Sequence, residues 1–122
     1  MYVYTLFRVA KKVMTEALEL HDSDINSVEV TKNTVRIEFS KAYIWSGEKG
    51  WGQKVLLIIE DAQLIETPLE FPVTISDGML SCTKEQFENI LPLPFSEHGI
   101  CVIDFSFING ERLEISGQNP RL

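Results

Sequence analysis

The sequence predicts a mainly β fold: an antiparallel β-sandwich or partly open β-barrel of six or seven strands, with one N-terminal amphipathic helix. Three observations carry this expectation. From about Ile25 almost to the end of the chain, apolar and polar residues alternate with period two. Turn dipeptides, glycines and prolines interrupt the alternation at short intervals, and no spacing fits a βαβ unit. Before Leu20 the period is helical instead.

Val3, Leu6, Phe7, Ala10, Val13, Met14, Ala17 and Leu18 recur at helical spacing, with Arg8, Lys11, Lys12, Thr15, Glu16 and Glu19 on the other face. The pattern predicts an amphipathic helix within residues 1–20, ahead of a β-domain over residues 25–118, the whole 1–122 forming a single domain. Its apolar stripe packs on its own domain by default, leaving a monomer, or pairs with another copy in a homodimer through this helix.

Val28 and Val30 then alternate with Glu29 and Thr31, and Val35, Ile37 and Phe39 with Arg36, Glu38 and Ser40. A hairpin with Lys32 and Asn33 as its two-residue loop sets Val30 opposite Val35 and Val28 opposite Ile37, so both apolar sets share a face. Beyond Phe39 the parity slips to Ala42 and Ile44, which a β-bulge near Ser40 or Lys41 would supply. SGEKGWG, residues 46–52, reads as a glycine-rich loop into a third strand, Gln53 to Glu66, whose VLLII run predicts burial on both faces. A strand around Phe71 to Ile75, a turn at Ser76, Asp77 and Gly78, and a strand from Met79 to Thr83 form a second hairpin. TKEQFENI fits one or two helical turns capped by Thr83. LPLP, residues 91–94, must be extended, because each proline pushes its predecessor out of helical geometry. In the last hairpin, parity rejects a two-residue Asn109–Gly110 turn and requires a three-residue loop, Ile108 to Gly110, which opposes Phe105 to Leu113 and Ile103 to Ile115.

In this order the landmarks carry a resemblance. HDS followed by a strand, FSKAYI, a glycine-rich stretch ending GWGQ, SDG, NILPLP and a closing NGERLEISG together resemble a family of small uncharacterised bacterial proteins. That resemblance implies no activity, substrate or cofactor. The opening is similar to that of some immunity proteins, which pair with bacterial toxins. Relative to the family pattern, residues 1–13 are an N-terminal addition, and Met14 stands where such proteins would begin.

Composition excludes some functions. The formal charge of −7, with Lys and Arg clustered only at Arg8, Lys11 and Lys12, disfavours nucleic acid and an anionic membrane surface as partners, and permits a basic protein. No apolar run approaches the length of a membrane span, and charges interrupt the apolar patches where a signal peptide would need continuity. Cys82 and Cys101 sit in apolar surroundings where reduced thiols are expected. A cytoplasmic protein follows.

HDS, comprising His21, Asp22 and Ser23, invites a hydrolase reading. Triad members come from separate segments, however, and Ser23 lacks a glycine-flanked elbow. The motif therefore reads as structural: Asp22, Ser23 or Asp24 closes a helix-to-strand junction on backbone amides, with the His21 ring partly buried. Removal of that ring is expected to cost more than Ser23→Ala. His21 and His98 are the only histidines and lie in no metal-spaced group, so no metal or cofactor is expected. The best binding candidates are Trp45, Glu48, Trp51 and Gln53, because large aromatics beside glycines serve as anchors at interfaces, although an indole can equally close the end of a core. The expected function is a non-enzymatic protein-interaction module, immunity-like in opposing a basic partner. The alternative is a small-molecule binder or enzyme using a barrel mouth or cleft near His21 and Trp51.

Overall fold

A computed structural model describes residues 16–122, and these form eight antiparallel strands: β1 (Glu16–Thr31), β2 (Thr34–Ser46), β3 (Lys49–Glu66), β4 (Val73–Cys82), β5 (Gln86–Glu88), β6 (Ile90–Leu93), β7 (Ile100–Phe107) and β8 (Arg112–Arg121). Six of them close on themselves in the order β4-β7-β8-β3-β2-β1, because β1 returns to β4 through Asp24 opposite Thr74 and Ile25 opposite Val73. The fold is a closed barrel rather than a sandwich or an open barrel. Closure is fixed by side chains as well as main chain: Thr74 Oγ1 donates to Asp24 Oδ1 at 2.6 Å across the joining strands.

β1 and β4 part company below that contact, and β5 and β6 fill the gap. β5 pairs with the far half of β4, and β6 with the first residues of β1. Between them stands Asn89, in a left-handed conformation with φ 60. Its main-chain oxygen accepts from Leu20 N at 2.7 Å and its amide donates to Gly78 O at 2.8 Å, while its side-chain oxygen accepts from Gly78 N at 2.7 Å. One residue thus joins both strands where they no longer reach each other.

The interior is apolar and filled. Alternation puts Leu18, Ile37, Phe39, Leu57, Ile59, Leu80, Ile103, Phe105, Leu113 and Ile115 inside, all fully buried. Phe39 and Phe105 meet edge to face across the barrel, their ring centroids 6.5 Å apart. A barrel of six strands is narrower than the eight-stranded kind, whose interior side chains can just fill, so packed side chains occupy the axis here.

The first hairpin has the expected register, Val30 opposite Val35 and Val28 opposite Ile37, with Lys32 and Asn33 both at positive φ in its turn. The bulge after Phe39 is present, and Phe39, Ala42 and Ile44 are all buried because of it. The last hairpin has Ile103 opposite Ile115 and Phe105 opposite Leu113, with Gly110 at φ 89. Leu91, Pro92 and Leu93 lie extended in β6, and Pro94 follows in a bend.

Other expectations are corrected. No helix occurs among the described residues: Glu16 to Leu20 are strand, with Leu18 and Leu20 buried at period two and Glu16 to Glu19 paired to both β2 and β6. Pairing on both edges outweighs local helical spacing. The rest of the expected helix, and any dimer through it, lies outside the described residues. The glycine-rich stretch is strand around a two-residue turn of Gly47 and Glu48, so β3 begins at Lys49. VLLII is buried on one face only, Leu57 and Ile59 inside and Leu56 out. SDG is no turn, since β4 runs through it with a local register shift. The Gln86–Glu88 stretch, expected as helical, is β5: Phe87 faces Leu80, and its ring meets Phe95 at 5.3 Å in the core. The strands also extend beyond 25–118, from Glu16 to Arg121.

Candidate functional site

HDS lies inside β1, at its largest irregularity, and not at a helix-to-strand junction. Glu19 is opposite Tyr43 and Asp24 opposite Lys41, so four residues of β1 bulge out against Ala42 alone. Ser23, fully buried, closes the break: its hydroxyl donates to Glu19 O at 2.6 Å and accepts from Tyr43 N at 3.1 Å, standing between a carbonyl and an amide that would otherwise pair directly. Asp22 takes a left-handed conformation, φ 71. His21 and Asp22 are exposed, and their side chains meet at 3.1 Å. The expected ordering is therefore reversed, because burial and bonding fall on Ser23 while the His21 ring stands in solvent.

Trp45, Glu48, Trp51 and Gln53 share the β2–β3 hairpin but not one surface. Trp45 is opposite Gly50, and a Cβ on Gly50 would sit 2.9 Å from its ring. The indole lies over the glycine, and its Nε1 donates to Glu19 Oε1 at 2.9 Å. Gly52 is covered similarly by the Lys41 stem, whose ammonium lies 4.9 Å from the Tyr43 ring centroid. The Tyr43 hydroxyl holds the Lys41 pKa above its ordinary value. These glycines serve as floor for side chains and not as flexible joints. Trp51 belongs to the opposite face, across from Ile44, and is 39% exposed with Nε1 donating to Gln53 Oε1 at 2.7 Å. Glu48 is exposed in the turn. His21 and Trp51 lie on strands separated by β2.

Sequence reasoning missed a third feature, the outer face of the other half of the barrel. Cross-strand register aligns Glu66 of β3, Glu114 of β8, Asp104 of β7, Met79 of β4 and Glu88 of β5 in one row. Asp77 is exposed nearby on β4. The cation among them is Arg112, whose Nη2 lies 2.6 Å from Asp104 and whose nitrogens approach Glu66 and Glu114 at 4.0 Å. The hydrogen bond that Arg112 donates to Asp104 raises the guanidinium pKa further, so it stays charged. Each acid was visible in the sequence as the polar half of an alternation, but only the register brings them into line.

Elsewhere Asn119, at φ 51, and Arg121 both donate to Glu60, and these bonds, Asn119 first, lower its carboxyl pKa. Among the described residues no group of three or more His, Cys, Asp and Glu could hold a metal, and no helix is long and apolar enough to cross a membrane. Comparison with known proteins found no match among family models, curated proteins or solved structures.

Proposed function

We propose that this chain is a non-enzymatic protein-interaction module that docks a basic protein partner on the acidic outer face of β3, β8, β7, β4 and β5. The observation that carries the reading is the row Glu66–Glu114–Asp104, whose one close counter-ion among the described residues is Arg112. Like charges placed side by side cost stability unless a partner or solvent offsets them, and a face of one sign steers partners of the other. The rigid strands under the row hold the carboxylates at fixed spacing, which favours specific docking over diffuse attraction. The net charge of −7 agrees with an inhibitor of a basic partner, which is also what the resemblance of the opening stretch around His21 and Asp22 to that of some immunity proteins would imply. The proposed setting is the cytoplasm, with Cys82 and Cys101 free as that compartment keeps them.

The test is capture from a lysate of the source organism. Parent chain, Glu66→Lys/Glu114→Lys and Glu29→Lys/Glu48→Lys are compared, the last pair matching the charge change on the far side of the barrel. Parent and control should retain a basic protein that salt elutes, and the face variant should lose it. Retention by all three alike, or no basic protein on the parent, contradicts the proposal.

A further inference from the structure

Cys82 and Cys101 are the only cysteines of the chain, and they are directly opposite each other on β4 and β7. Opposed residues of an antiparallel pair share a face. Here it is the inner one, in line with Leu80 and Ile103, which are opposite each other and fully buried.

Main-chain directions fix the type of pair. Cys82 N donates to Glu85 O at 2.9 Å, away from β7, and Gly78, four residues earlier, turns its N–H and C=O to Asn89 on the same side. On β7, Ile100 O accepts from Thr83 Oγ1 at 3.2 Å, so position 100 faces β4 and position 101, by alternation, faces β8. Both strands therefore make Cys82 and Cys101 a pair without mutual main-chain bonds, the kind that brings side chains closer. Their Cβ atoms stand about 4.5 Å apart in such a pair, at the upper end of the ~3.5–4.5 Å that a disulfide spans. The two thiols differ in access: Cys101 is fully buried, whereas Cys82 ends the inner row and is partly exposed, next to exposed Thr83, Lys84 and Glu85.

We propose that Cys82 and Cys101 form a cross-strand disulfide site, in which Cys82 is the entry thiol, Cys101 the resolving thiol and a small disulfide the oxidant. Cys82, as thiolate, attacks one sulfur of the small disulfide, forming a mixed disulfide and expelling a small thiolate that takes up the proton Cys82 has lost. Cys101 then attacks Cys82 Sγ, and its proton leaves with the second small thiol. Two protein thiols are thereby oxidised to one disulfide, and the small disulfide is reduced to two thiols. Burial first, then Glu97 and Glu85, holds the Cys82 thiol above its ordinary range, so little thiolate is present near neutral pH and the first step is slow. The second step needs no encounter, because the pair is already side by side. The site thus records sustained oxidation rather than a brief pulse, and both thiols stay free in a reducing compartment. Once formed, the bond closes the chain between β4 and β7, with β5 and β6 inside it, into a covalent loop.

Incubation of the folded full chain with hydroxyethyl disulfide, read by intact mass and peptide mapping, tests the site. The parent should end two hydrogens lighter, with Cys82 joined to Cys101 in the same chain, and any adduct trapped early should be on Cys82. Cys101→Ala should stop at a single adduct on Cys82, and Cys82→Ala should stay unmodified over the same period, because Cys101 is buried. The oxidised parent should unfold at a higher denaturant concentration than the reduced parent. The early adduct and the final mass of the parent give an answer independent of how either variant folds. A parent that ends unreacted, as an adduct or as an interchain dimer, an early adduct on Cys101, or an oxidised midpoint at or below the reduced one would overturn the proposal. So would a Cys82→Ala chain that reacts as fast as Cys101→Ala, which would mean that the thiols react through the unfolded chain.

Discussion

Ser23 Oγ accepts a hydrogen bond from the Tyr43 amide at 3.1 Å, so a side-chain oxygen of β1 takes the place of a main-chain carbonyl in the ladder with β2. The same hydroxyl donates to Glu19 O, so neither main-chain group is left unpaired at the bulge.

Ser23→Ala removes this bridge inside a fully buried site and should cost about 1–3 kcal/mol. His21→Ala, at an exposed position, should stay within about 0.5 kcal/mol. Asp22→Gly relieves a left-handed backbone and should be neutral or stabilising by roughly 1 kcal/mol. Denaturant midpoints of the three variants give the order directly. A His21→Ala midpoint below that of Ser23→Ala would contradict the assignment.

Asn89 tests barrel closure. Its replacement by alanine loses two side-chain bonds, to Gly78 and to Asp77, and puts alanine in a left-handed conformation. The expected cost is about 2–4 kcal/mol, with glycine at the position recovering the conformational part. Amide exchange at Leu20 and Gly78 should accelerate in the alanine variant before the rest of the barrel opens. Uniform acceleration through all strands would show that Asn89 is not the local latch.

Gly117 has no room for a side chain. A Cβ there would stand 2.5 Å from Ile59 Cγ2 and 2.9 Å from Glu60 O, and the main-chain oxygen cannot swing aside as a side chain could. Gly117→Ala should cost about 1–3 kcal/mol by overpacking where β8 crosses β3. An unchanged thermal midpoint would mean that the two strands separate freely at this point.

Alternation made much of this architecture legible. The Lys32–Asn33 hairpin, the bulge after Phe39 and the three-residue loop ending at Gly110 were readable because a one-residue error moves apolar side chains into solvent. The short segments were not, because their conformation is set by distant partners. Phe87 is in a strand because β4 offers Leu80 as its neighbour, and Gly78 is extended because Asn89 takes its main-chain bonds. Glu16 to Leu20 follow the same rule, with strands on both sides of a stretch whose local spacing reads as helical. For the candidate site, the residues of the HDS bulge were visible but their roles were not, since nothing local distinguishes the buried hydroxyl from the exposed ring. The acidic row needed the register of strands far apart in the chain.

The cysteines make a pH prediction. Cys82 and Cys101 are directly opposite on β4 and β7, and burial pushes their thiols up to about 11 and about 12 from an ordinary 9.0. A thiol whose pKa is raised by folding stays protonated in the folded chain while the unfolded chain ionises. Its contribution to stability is therefore intact below pH 9 and declines as pH rises toward 11 and 12. Denaturant midpoints should fall over that window, and Cys82→Ser/Cys101→Ala should flatten the decline. An equal slope in both chains would assign the alkaline loss to other groups.

The proposed interaction face is tested most directly by amide chemical-shift mapping of the isotopically labelled chain with the basic protein it captures. Shifts should concentrate on Glu66, Asp104, Arg112, Glu114 and Glu88, and shrink together as salt is added. Shifts centred on the His21–Ser23 bulge or on Trp51, with the β7–β8 face unmoved, would contradict the account.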